Sequence, residues 1–245
     1  MKNDYSIHNV RVGEPPEPTA ESEMRRDIAS QLQRIIDRLV RMDAPQEQLS
    51  YYAAQLAVLA DDMQQWPRRQ LGPILQRLLQ GTGSQQDMLD VFDHEIMTGL
   101  AHPMSPPLQL WLDGNVVRGT ANLGLPWQGP PGRVHGGVIS LMFDILLAKT
   151  QDMLMGFGMT GTLNTKYLAG TPLKADIQME AWIERVEGRK LFNRGRFLLE
   201  GKPLVEAEGI WICASGDYQW RPGYGPETLG KSAGSGDKGD KEGVA

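Results

Sequence analysis

The stretch Val138–Ala148 is the part of this 245-residue chain that most limits what it can fold into. Every residue in it is apolar or small except Ser140 and Asp144. An apolar run of this length without alternation reads as a helix that is hydrophobic all round, and such a helix has to be buried. A carboxylate inside such a helix costs several kcal/mol unless it finds a partner. Asp144 therefore either pairs with Lys149, caps a neighbouring loop, or is kept for chemistry.

The flanking sequence states what would do the burying. Leu108–Leu112 and Val116–Leu123 alternate around Asp113-Gly114-Asn115, a hairpin signal. After the apolar helix come four strand-like runs, Thr160–Leu168, Ala175–Val186, Lys190–Leu199 and Leu204–Ala214, separated by turns at Gly170, Gly188 and Gly201. In the second run Ile177, Met179, Ala181 and Ile183 alternate with Gln178, Glu180, Trp182 and Glu184, as a half-buried antiparallel strand requires. Two strands, one long helix and four more strands predict an α+β fold, an antiparallel sheet wrapped around a central helix.

Ahead of this lies a helical extension. Met24, Ile28, Leu32, Ile35, Leu39 and Met42 recur at three- and four-residue spacing. Leu49, Tyr52, Leu56, Leu59 and Met63 repeat the pattern after Asp43-Ala44-Pro45, and a weaker segment runs from Pro73 to Gln80. Residues 84–107 read as irregular. The expected organisation is a loose tail over 1–20, a helical extension and linker over 21–104, a sheet-and-helix domain over 105–220, and a second loose tail over 221–245. Both tails are too poor in apolar residues to offset ordering entropy.

Composition excludes several classes. Hydrophobic residues make up 40% and charged ones 22%, enough to bury a core. Net charge is −5, and residues 21–80 balance eight Arg against eight Asp and Glu, which argues against a nucleic-acid face. No apolar run approaches the ~18 residues that cross a bilayer, and the first ten residues lack the apolar centre of a signal peptide. Cys213 is the single cysteine, so no intramolecular disulfide can form. A cytoplasmic protein with a buried core thiol is expected. Gly156–Gly161 matches G-x-G-x-x-G, but a helix precedes it and a strand follows, the reverse of the dinucleotide fingerprint. His94-Glu95 starts like a zinc motif, yet position 98 is Thr. No metal site is expected, and there is no nucleophile elbow.

His135-Gly136-Gly137 opens the apolar helix. Amides in a first turn lie outside the helix's own hydrogen-bond ladder, and the dipole there favours negative charge. Glycines also let a bulky group approach those amides closely. An amide that can stabilise an oxyanion, with a carboxylate further along, makes two parts of an acyl-transfer site.

Gly132-Arg133-Val134-His135-Gly136-Gly137, followed by Asp144 nine residues after the histidine, resembles hotdog-fold acyl-CoA thioesterases of the PaaI-like/4-hydroxybenzoyl-CoA thioesterase superfamily. Gly161–Tyr167 with Thr171-Pro172-Leu173, and Ile183–Arg189, resemble later strands and turns of that family, so the likeness spans about 105–215. The resemblance implies hydrolysis of acyl-CoA to free acid and CoA, with no cofactor beyond the CoA of the substrate. It implies that the Gly136 amide polarises the thioester carbonyl and that Asp144 is nucleophile or general base. His135 would shape the helix start, and Thr160 would orient water near the acid. Relatives often carry Asn or Gln six residues before the histidine; here that position is Gly129, and Gln128 beside it is the candidate. Gly137 would be a CoA-binding residue, and Arg189 and Lys190 would meet the CoA phosphates or simply be surface charges at a turn. The implied minimal unit is a homodimer, within a higher homo-oligomer. The alternative is a hotdog module that senses acyl-CoA without turning it over. Hotdog dehydratases use an Asp followed five residues later by His, and this chain has no such pair.

Overall fold

The computed structural model describes residues 17–226, apart from 81 and 215. The tails expected over 1–20 and 221–245 thus lie outside the described residues for 1–16 and 227–245. Four helices come first: α1 (Ala20–Leu39), α2 (Gln46–Gln64), α3 (Leu71–Leu79) and α4 (Gln85–Phe92). Thr19 starts α1 with a capping box, its hydroxyl accepting from the Ser22 amide while the Ser22 hydroxyl accepts from the Thr19 amide.

Helix α4 corrects the irregular reading of 84–107. Ser84 and Asp87 form a second capping box, so the start signal was present in the sequence. Ile74, Leu78 and Met88 form a small core between α3 and α4, with Val91 and Phe92 packed against it. Arg77 closes the corner by gripping the Asp87 carboxylate with two donors. Arg26 ties α1 to the end of α4 through two hydrogen bonds to Asp93, at 3.0 and 2.9 Å. Helix α2 differs from these, since it has no buried residue.

Strands β1 (Leu108–Asp113) and β2 (Val116–Ala121) follow, then a 3-10 turn (Leu125–Trp127) and helix α5 (Gly136–Ala148). A second 3-10 turn (Lys149–Met153) leads to β3 (Leu154–Met155), β4 (Gly158–Tyr167), β5 (Ile177–Glu187), β6 (Lys190–Leu199), β7 (Lys202–Cys213) and β8 (Gln219–Trp220). Six strands form one sheet in the order β1-β2-β5-β6-β7-β4, and β3 pairs with β8. Neighbours β5–β6, β6–β7 and β7–β4 are antiparallel. The Gly-rich segment 156–161 straddles the start of β4, so it serves as a strand entrance. Cys213 is buried at the end of β7.

The chain divides into two compact units. One takes the residues up to Gln109 with Ala121–Met142 and Gly170–Ile177, and the other takes Leu110–Thr120, Phe143–Ala169 and the residues from Gln178. Helix α5 contributes its first half to one and its second half to the other. Within the second unit, Phe143 stacks on Phe197 of β6 with ring centroids 4.0 Å apart. Gly195 makes room there: a Cβ at this position would stand 3.2 Å from Leu147 and 2.9 Å from the Glu180 carbonyl. On the opposite face of the sheet Arg118 and Arg196 both bond Glu180. Burial acts to raise the Glu180 carboxyl, but the two guanidinium groups outweigh it and hold it below its ordinary value.

Candidate active site

A short loop delivers the start of α5. Gln128 and Val134 form an isolated bridge, as do Arg133 and Pro172, and the His135 amide donates to the Trp127 carbonyl at 2.9 Å. Gln128 spends its side-chain carbonyl inside this loop, accepting from the Gly132 amide at 2.9 Å. Position 129 has no room for a side chain, since a Cβ would stand 2.8 Å from the His135 Cα. This is a physical reason for glycine at the position where the family resemblance leads one to expect an amide side chain. The same tightness holds His135 at the mouth of the helix, where its Nδ1 accepts from the Gly137 amide at 3.0 Å. The imidazole therefore caps the first turn, and the Gly137 N–H is engaged by it.

The expectation that α5 is buried all round needs correcting. Ile139, Met142, Phe143, Leu146 and Leu147 are buried, whereas Val138, Ser140, Asp144 and Ile145 are half-buried and Leu141 is exposed. The second side mixes the apolar Val138, Leu141 and Ile145 with the polar Ser140 and Asp144 and is only partly covered within one chain.

Asp144 lies on that half-covered side. Its Oδ1 accepts from the Thr160 hydroxyl at 2.8 Å. Thr160 is on β4, beside a register shift between Thr160 and Thr162. Such a bulge re-aims side chains at the rim of a sheet. Lys149, the pairing partner considered from the sequence, bonds Asp152 at 3.1 Å, and both side chains are buried. Gly136 and Asp144 stand eight residues apart on one helix, a rise of ~12 Å.

The other expected residues lie elsewhere. Arg189 sits at the β5–β6 turn and donates from Nε and Nη2 to the Cys213 carbonyl, at 3.1 and 2.9 Å. Its guanidinium staples the end of β7. Lys190, exposed at the start of β6, pairs across the ladder with Ile212. The structure brings together Asp144 with Thr160, and His135 with Gly137, but does not join Arg189 and Lys190 to either pair.

Sequence reasoning missed Asn193. It is 1% exposed, and its Nδ2 donates to the Leu147 carbonyl at 2.9 Å and to the Thr150 hydroxyl at 3.0 Å. It thereby satisfies the C-terminal end of α5, where carbonyls lack intrahelical donors. The signal was legible: in the inward series Leu191, Asn193, Gly195 and Phe197, Asn193 is the one polar member. Among the described residues no group of three or more His, Cys, Asp or Glu is placed to hold a metal ion. None of their helices is long and apolar enough to cross a membrane.

A long apolar helix against a six-stranded sheet defines an α+β hotdog architecture. No protein-family model matches the chain. Acyl-coenzyme A thioesterase THEM4 of Mus musculus is 39% identical over 69 residues, which is 28% of this chain and 30% of the mouse protein. The Bos taurus THEM4 is 37% identical over 87 residues, 35% of each chain. The matches thus span about a third of the curated relatives' length. The crystal structure of a thioesterase superfamily protein is similar with a TM-score of 0.66 at 28% identity, covering 84% of this chain and 99% of that one. Coverage that broad includes the amino-terminal helices, because residues 105–220 are under half of the sequence. These likenesses and the fold together support a hotdog-fold thioesterase superfamily member.

Proposed function

We propose that the protein hydrolyses acyl-CoA thioesters to the free acid and CoA. The observation that carries this reading is the Asp144–Thr160 pair on the half-covered side of α5. The curated relatives are named acyl-CoA thioesterases, which agrees with it. In the proposed reaction the Gly136 amide donates to the thioester oxygen and stabilises the charge that builds there. Asp144 either attacks the carbonyl carbon or takes the proton from an attacking water. Thr160 holds Oδ1 of the acid, so Oδ2 is the oxygen assigned to substrate or water. His135 acts indirectly, by fixing the first turn, and Gln128 by bracing the loop before it. Arg189 and Lys190 are assigned to the CoA phosphates only if the Arg189 guanidinium leaves the Cys213 carbonyl.

An amide and an acid ~12 Å apart along one helix do not grip a single carbonyl. The proposed site therefore takes Gly136 from one copy and Asp144 from another, across antiparallel α5 helices. Two features support this: the partly covered second side of α5, and β4, which ends the sheet and presents a ten-residue edge. Such an edge is a ready template for pairing with another strand. The homodimer is then the smallest active unit. A panel of acyl-CoAs with a free-thiol readout tests the reading. Turnover of at least one acyl class is expected; binding without release of thiol would assign the protein to acyl-CoA sensing.

A further inference from the structure

Helix α2 presents Leu49, Tyr52, Leu56, Leu59 and Met63, spaced three, four, three and four residues apart, and all five are exposed. This is the seam spacing of a helix that packs lengthwise against another helix. Its other sides carry Glu47, Ser50, Asp61 and Asp62, with Tyr51 and Val58 exposed among them. Helix α1 has a stripe of its own. Ser22 and Ala29 are buried and Arg26 is fastened to Asp93, whereas Met24, Ile28, Ile35 and Leu39 are exposed.

We infer that these two stripes form an interface with a second copy of this chain, in which α2 of one copy lies along α1 of the other. Two contacts related by a two-fold axis result, and the interface closes on itself. Period and area favour that occupant. The seam spacing calls for a helix of the same repeat, and α1 supplies one. Nine stripe residues at roughly 70 Å² of apolar surface each, with Trp66 beyond the end of α2, offer about 700 Å² per copy, near the about 800 Å² per partner of a stable interface. Helix α2 has no Lys or Arg, while α1 exposes Arg34 and Arg38 together with Glu21, Glu23 and Asp27. The lack of basic residues on α2 also speaks against an anionic membrane surface. Neither terminal segment, 1–16 or 227–245, carries a comparable apolar repeat. The residues differ from those of α5 and β4, so this interface stands or falls apart from the shared active site.

Thiol cross-linking tests it directly. Leu59→Cys chains are mixed with Ile35→Cys chains of a different tag length and mildly oxidised; the native Cys213 is buried and stays silent. A covalent dimer of mixed size should form at least tenfold faster than in a mixture of Ser50→Cys with Ile35→Cys, and Leu56→Glu should abolish it. Far-ultraviolet circular dichroism checks that each chain is folded. A mixed dimer no faster than the Ser50 control overturns the inference. So does a chain carrying both Ile35→Cys and Leu59→Cys that closes only on itself, or cross-linking that survives Leu56→Glu. Co-sedimentation of the wild type with phosphatidylserine vesicles, lost in Leu56→Glu without any cross-link, would make the stripe a membrane contact instead.

Discussion

Helices α5 and α2 are both apolar, yet they meet opposite fates. Helix α5 has one side sealed, by Phe143 on Phe197 and by Asn193 under its last turn, and a second side left half-open. Helix α2 has its apolar side chains exposed and no buried residue at all. The difference teaches that apolar pattern fixes where a helix forms and which side it wants covered, while the cover itself comes from other elements. For α5 the sheet is one cover. For the second side of α5 and for α2, the proposed cover is another copy of the chain.

The first way to break the comparison is chemical. Asp144→Asn is nearly isosteric, so it should leave the fold intact while lowering turnover by about 10³-fold or more. Steady-state kinetics beside a thermal melt checks both halves, and a folded variant within about tenfold of wild type would remove Asp144 from the reaction. A second change probes the sealed side. Leu146 is fully buried, so Leu146→Ala should cost about 3 kcal/mol in urea unfolding. The matched change on α2, Leu56→Ala, should cost under about 0.5 kcal/mol at dilutions that keep copies apart. Equal costs would mean that α2 is packed after all.

The smallest expected effect concerns the corner that anchors the helical extension. The Arg77 guanidinium holds the Asp87 carboxyl down, against the opposing pull of burial and with help from the Ser84 amide, to about 2 from an ordinary 3.8. A depressed carboxyl adds stability above its ordinary value and loses it as pH falls through the depressed one. Protection of α3 and α4 amides against hydrogen exchange should therefore weaken between about pH 4 and pH 2. Asp87→Asn should flatten that dependence; an unchanged profile would dissociate the pair from the stability of the corner.

Much of this was legible in the sequence because it rests on local rules. Period separated the helices from the strands, Gly114, Gly188 and Gly201 marked turns, and the His-Gly-Gly start with Asp144 marked a candidate site. What stayed hidden depended on distant partners. Arg189 reads as a surface cation, and only the folded chain shows it on the Cys213 carbonyl. Lys149 looked like the natural partner of Asp144 by proximity in sequence, but the 3-10 turn after α5 directs it to Asp152. Gly129 looked like a missing amide, and close packing against His135 gives its reason. Helix α4 escapes a reading by period because its eight residues are too few to display one, although Ser84 and Asp87 announce its start.

The central claim is that one reaction centre takes its amide and its acid from two chains. Gly136→Pro removes an amide at the first helical position, where proline is tolerated, and Asp144→Asn removes the acid. Each variant should be inactive alone. Refolded together in equal amounts, half of the dimers are mixed and each mixed dimer holds one intact site, so activity should return to about a quarter of wild type. Verified exchange of subunits with no return of activity would mean that Gly136 and Asp144 of the same chain work together, and the shared site would be wrong.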